Sequence, residues 1–115
     1  MTGHPGTVLI TGTTSGVGLN ATKALVNRGW TVITANRSPQ RAAAAADELD
    51  LPKQRLQHVL MDLGDLDSIR NAVATLPDRL DVCVCNAAVY KPKLKKAERS
   101  PQGFEISMAT NHLGH

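Results

Sequence analysis

Apolar runs at residues 7–11, 31–35, 55–61 and 81–85 alternate with stretches of helical periodicity, and this alternation restricts the possible folds severely. A strand that returns parallel to its predecessor needs a crossover, and a crossover helix buries its apolar stripe against the sheet it leaves. The pattern therefore predicts right-handed βαβ units around a parallel sheet. The first, second and fourth runs are nearly continuously apolar, as expected of strands covered by helices on both faces. The third mixes Gln57 and His58 with Leu56, Val59 and Leu60 and reads as nearer an edge.

The first helix is expected over residues 16–28, with Val17, Ala21, Ala24 and Leu25 toward the sheet and Gly29 as a left-handed stop. Ser38 as N-cap and Pro39 at the first helical position open the second, whose alanine-rich body ends near Leu49, before Pro52. A third carries Leu66, Ile69, Val73 and Leu76 on one stripe and stops at Pro77. A basic segment with Lys91, Lys93, Lys95, Lys96 and Arg99 follows, and a last helix is expected from Ser100 and Pro101, still in progress at His115. No internal repeat or second domain is visible. Met1 and the open-ended last helix lead to the expectation that residues 1–115 are one domain, incomplete at its C-terminus.

Between the first strand and first helix lies TGTTSGVG, residues 11–18. A strand, tight turn and helix start with this spacing form a pocket of backbone N–H groups for a dinucleotide pyrophosphate. Gly12 permits the turn, Gly16 lets the backbone approach the diphosphate and Gly18 allows close helix–strand packing. Thr13, Thr14 and Ser15 line the turn with hydroxyls, and Val17 lies within it. The expected fold is α/β: the N-terminal half of a Rossmann-type doubly wound parallel sheet, strand order 3-2-1-4.

Ligands of such sheets lie outside the carboxyl ends of the strands. An NAD site places a carboxylate after the second strand to bind the ribose hydroxyls, but this chain has Asn36 and Arg37 there, then Ser38 and Arg41. A carboxylate repels a 2′-phosphate and a guanidinium binds it, so NADPH is favoured over NADH; the alternative is that Arg37 and Arg41 are solvated cations. Asp62, followed by Leu63, either accepts from the adenine amino group or caps its own loop. Asn86, Ala87 and Ala88 follow the fourth strand where the adenosine ribose would lie.

Composition narrows the partners. One Trp, one Tyr, one Phe and a net charge of +3 do not suit a nucleic-acid surface, and an anionic small ligand accounts for the surplus charge. The apolar runs fall short of the roughly 20 residues of a membrane span. Without a Ser- and Arg-rich leader, the expectation is a cytoplasmic or peripherally attached protein of bacterial source. Cys83 and Cys85 are expected as buried free thiols on one strand face. Neither they nor His112 and His115 have enough neighbouring ligands for a metal site.

These residues resemble the short-chain dehydrogenase/reductase family over essentially the whole chain. TGTTSGVG is similar to its glycine-rich turn, Asp62 to its adenine-side acid, CNAAV to its NNAG-like element and Asn111 to its helix asparagine. CNAAVY, the lysine-bearing loop and GFEISMATNHLGH look like the family branch that reduces protochlorophyllide in light. The resemblance implies NADPH-dependent reduction of a C=C bond in chlorophyll biosynthesis. It implies a catalytic Tyr-x3-Lys pair, which these residues lack and which is expected beyond His115. By the same resemblance Asn111 helps position that Lys through water, and Tyr90 lines the pigment cavity. The lysine loop meets a pigment propionate or an anionic membrane, or is simply solvated. Whether the full-length protein forms a homo-oligomer is left open by the sequence. The alternatives are an NADPH-dependent carbonyl or retinal reductase and a non-catalytic NADPH-binding fragment.

Overall fold

The computed structural model describes residues 5–50, 52, 54–90 and 96–115. Strands β1 (Thr7–Thr11), β2 (Thr31–Asn36), β3 (Leu56–Leu60) and β4 (Val82–Val84) alternate with helices α1 (Gly16–Asn27), α2 (Pro39–Leu49) and α3 (Leu66–Val73). A short helix α4 (Ile106–Met108) continues as a π-helical turn, Ala109–Leu113. The sheet is parallel throughout, in the order β3-β2-β1-β4. Its register sets Val8 beside Val32 and Val82, and Thr34 beside His58. The expected order and the edge position of the third strand are therefore present.

Strand alternation sends Val8, Ile10 and Val32 to one face, where they pack with Val26 of α1. Leu9, Ile33 and Ala35 face the other way and meet Met61, Leu63 and Ala72. Burying each of the larger side chains contributes about 1.5–3 kcal/mol. Both clusters rest on β1 and β2, the interior strands.

Helix α2 begins as expected: the Ser38 hydroxyl accepts from the Arg41 N–H at 3.2 Å, and Pro39 occupies the first turn. Helix α1 stops at Gly29, with φ at +92°. Its buried face differs from the expected one. Val17 is 77% exposed and Ala24 is exposed, whereas Gly18, Thr22 and Val26 are buried. Contact between Gly18 and the β1 turn fixes the helix rotation, and the Thr22 hydroxyl follows by donating to the Gly18 carbonyl at 2.8 Å. In α3 Val73, expected on the buried stripe, is exposed, and Ala72 packs inward with Ile69 and Leu76.

Two further expectations are corrected. Ser100 starts a turn, not a helix: its N–H donates to the Phe104 carbonyl and its own carbonyl accepts from Gly103. The helix begins after Glu105, whose carboxylate accepts from the Ser107 and Met108 amides at 2.9 and 3.0 Å. Strand β4, expected to be covered, exposes Val82, Val84, Cys83 and Cys85, because it lies at the sheet edge with β1 beside it. The Cys83 thiol is pushed up by its partial burial and, secondarily, by neighbouring Cys85.

Small side chains on α2 leave a hollow of about 260 Å³ above the sheet, between Ala42, Ala45, Ala46 and Leu49 of α2, Leu19 and Thr22 of α1, and Leu56 and His58 of β3. Burial holds the His58 imidazole below its ordinary value.

Candidate cofactor cleft

The carboxyl ends of the strands open into a cleft of about 880 Å³. Gly12 and residues 14–18 line it after β1, Arg37, Ser38 and Arg41 after β2, Asp62 and Leu63 after β3, and Asn86, Ala87 and Ala88 after β4. Every residue expected from the sequence to hold a dinucleotide thus borders one space. The cleft also takes in Ala35, Asn36, Met61, Val89, Glu98, Ile106 and Thr110. Asn36 and Val89 were named in the sequence only as the residue at the end of the second strand and as part of CNAAV, and the others carry no binding signal of their own; Glu98, Ile106 and Thr110 reach the cleft through the chain reversal after residue 96.

The glycine turn is shaped by close approach. A Cβ on Gly18 would fall on the Gly12 carbonyl oxygen, and one on Gly12 would lie 2.8 Å from the Ala87 Cα. Gly16, at φ +57°, has open space around it, so its requirement is conformational. Ser15 precedes α1 without capping it through its side chain. First-turn amides remain for an anion, which the positive end of a helix favours.

Asn36 fastens the turn from beneath. Its Oδ1 accepts from the Thr13 N–H at 3.0 Å and its Nδ2 donates to the Thr13 hydroxyl at 2.8 Å. The carboxamide is committed inside the protein, while Arg37 and Arg41 are exposed at the cleft. Asp62 has one oxygen occupied locally, accepting from the Gly64 N–H at 2.9 Å, and still borders the cleft. The loop-cap reading is thus present and does not displace the other.

Residues 86–89 are held from both sides. The Asn86 carboxamide donates to the Thr11 and Gly12 carbonyls at 3.1 and 3.0 Å. Asn111 accepts from the Val89 N–H at 2.8 Å and donates to the Val89 carbonyl at 3.0 Å. Asn111 therefore braces the cleft wall through its side chain. Tyr90 is 86% exposed and is not brought to the cleft. Lys91, Lys93 and Lys95 lie outside the described residues. Among the described residues no group of three His, Cys, Asp or Glu side chains forms a metal site, and no helix is long and apolar enough to cross a membrane.

The profile described as short chain dehydrogenase matches residues 6–115. The chain is 47% identical over 114 residues to a chloroplastic protochlorophyllide reductase of Daucus carota, covering 96% of this chain and 29% of that protein. It is 44% identical over 113 residues to the Chlamydomonas reinhardtii protein of the same name, covering 95% and 28%. The chain thus spans less than a third of the length of these curated relatives. They are plant and algal proteins and lend no support to the expected bacterial source. Among solved structures it is similar to a short chain dehydrogenase/reductase family protein, with TM-score 0.76, 33% identity and coverage of 96% and 45%. It is also similar to the closed form of serine dehydrogenase complexed with NADP+, with TM-score 0.71, 29% identity and coverage of 94% and 44%.

Proposed function

The chain belongs to the short-chain dehydrogenase family, and on that footing we propose that it forms the NADPH-binding part of an enzyme that reduces protochlorophyllide to chlorophyllide in light. The observation that carries the cofactor half is the pairing of a glycine cradle with guanidinium groups, where the end of β2 offers no carboxylate. Identities of 44–47% to protochlorophyllide reductases, over nearly all of this chain, support the substrate half.

The residues fit a dinucleotide on their own chemistry. The amides of residues 14–18 take the diphosphate, those of Gly12 and Thr13 being engaged by Ala35 and Asn36, and a side chain on Gly12 or Gly18 would clash with Ala87 or the Gly12 carbonyl and spoil the turn. Arg37 and Arg41 bind the 2′-phosphate, with Ser38 beside them. Asp62 accepts from the adenine amino group with its remaining capacity, Leu63 flanks it, and residues 86–88 border the ribose. Asn111 acts as a positioning residue through Val89, and Tyr90, outside the dinucleotide cleft, meets the pigment. When bound, NADPH supplies the hydride delivered to one carbon of the C17=C18 bond, while a proton reaches the neighbouring carbon. The acid that gives the proton belongs to the remainder of a longer protein, of which residues 1–115 form the incomplete dinucleotide domain.

The test is an assay of the full-length protein with NADPH and protochlorophyllide. Chlorophyllide is expected to form under illumination and not in darkness. Turnover of retinal or another carbonyl substrate in darkness, without light-driven chlorophyllide formation, would replace this reading by that of a carbonyl reductase.

A further inference from the structure

Thr11 closes β1 and is buried, and its hydroxyl is the meeting point of the cleft wall. Oγ1 accepts from the Asn86 N–H at 3.0 Å and from the Ala87 N–H at 2.9 Å. A hydroxyl has two lone pairs and one proton, so the two amides fill its accepting capacity. The remaining partner is His115 Nε2, 2.9 Å from Oγ1. Only one assignment satisfies all three contacts: the hydroxyl donates, and Nε2 accepts. A neutral imidazole that accepts at Nε2 carries its proton on Nδ1, and Nδ1 lies 3.4 Å from the Asn111 carbonyl oxygen.

The backbone explains why His115 reaches this place. In α-register the Gly114 N–H would bond to the carbonyl of residue 110, but here it donates to Ala109 at 2.7 Å, the wider π spacing. Gly114 also sits where a Cβ would meet the Leu63 carbonyl, so the turn is pressed against the segment after β3. The imidazole is thereby placed between the end of β1 and the residue whose carboxamide holds Val89.

We propose that His115, as the neutral Nδ1–H tautomer, is a positioning residue that links the Thr11 hydroxyl to the Asn111 carbonyl and holds residues 86–89 in place for the dinucleotide. Its importance for binding rests on the cofactor reading above, whereas its tautomer does not.

The experiment has two arms, both on the full-length protein. In the first, nitrogen NMR of the His115 ring at mildly alkaline pH is expected to show a protonated Nδ1 and an unprotonated, hydrogen-bonded Nε2. The opposite tautomer, or an averaged signal typical of a free imidazole, would overturn the proposal. In the second, NADPH dissociation constants are compared for His115→Phe and His115→Gln. Loss of one hydrogen bond to a buried hydroxyl corresponds to about a tenfold weakening, expected for Phe. Gln restores an acceptor and is expected to stay within about threefold of the parent. A Phe variant that binds like the parent, or a Gln variant as weak as the Phe variant, would also overturn it. A parent protein that fails to bind NADPH yet shows the Nδ1–H tautomer would instead remove the cofactor reading.

Discussion

Asn36 occupies the position at which a nucleotide-binding strand of this kind selects its ligand, yet its carboxamide is turned inward onto Thr13. Selection between NADPH and NADH therefore falls to the side chains that follow. Arg37→Asp is expected to weaken NADPH binding by at least about tenfold and to invert the NADPH:NADH preference, read from dissociation constants of the full-length protein. An unchanged ratio would mean that Arg37 is a solvated cation. The glycine positions were legible in the sequence because each answers a local demand, close approach at Gly12 and Gly18 and a left-handed backbone at Gly16. The task of Asn36 was not, since its partner lies 23 residues away and an Asn signals nothing about whom it will bind. Thr11 was hidden for the same reason: its amide partners lie in the segment after β4, 75 and 76 residues later.

Among the elements, α2 was readable to its ends because Ser38 and Pro39 act locally. The same pair of residue types at Ser100 and Pro101 misled, since the chain there turns back to pair Arg99 with Glu105. A tight antiparallel bridge closed around residues 100–104 outweighed the helix signal inside it, and Glu105 took the cap. Helix α3 shows how a cap ties neighbouring segments together. The Asp65 carboxylate accepts from the Gln102 side-chain amide at 2.9 Å and from the Asp67 N–H at 3.1 Å. The Gln102 bond first, and then the backbone amides, hold its pKa below the ordinary value of 3.8. A carboxyl depressed on folding adds stability that is complete above that ordinary value and disappears as pH falls through the folded-state value. Asp65→Asn is therefore expected to be less stable than the parent at neutral pH. The gap should close in strong acid, as measured by denaturant unfolding across the pH range; a pH-independent gap would locate the effect outside the charge.

For the whole molecule, the βαβ alternation carried the parallel sheet, and the Rossmann-type glycine turn carried its strand order. It did not carry the exposure of β4. An apolar run shows that a strand favours cover and is silent on which segment provides it. With Val82 41% and Val84 36% exposed on a strand at the sheet edge, the 115-residue chain by itself is expected to self-associate as its concentration rises. Val84→Lys should lower the weight-average mass found by sedimentation, and an unaltered mass would place the contact elsewhere.

The hollow beside α2, framed by alanine methyls, stands open to solvent, so water wets apolar surface there even in the folded chain. Apolar area that stays wet adds nothing to the free energy of folding, and a side chain that covered it would. Ala46→Leu, at a half-buried position on the wall of the hollow, is expected to raise the denaturant midpoint by covering those methyls, and an unchanged midpoint would mean that the added side chain points into bulk water.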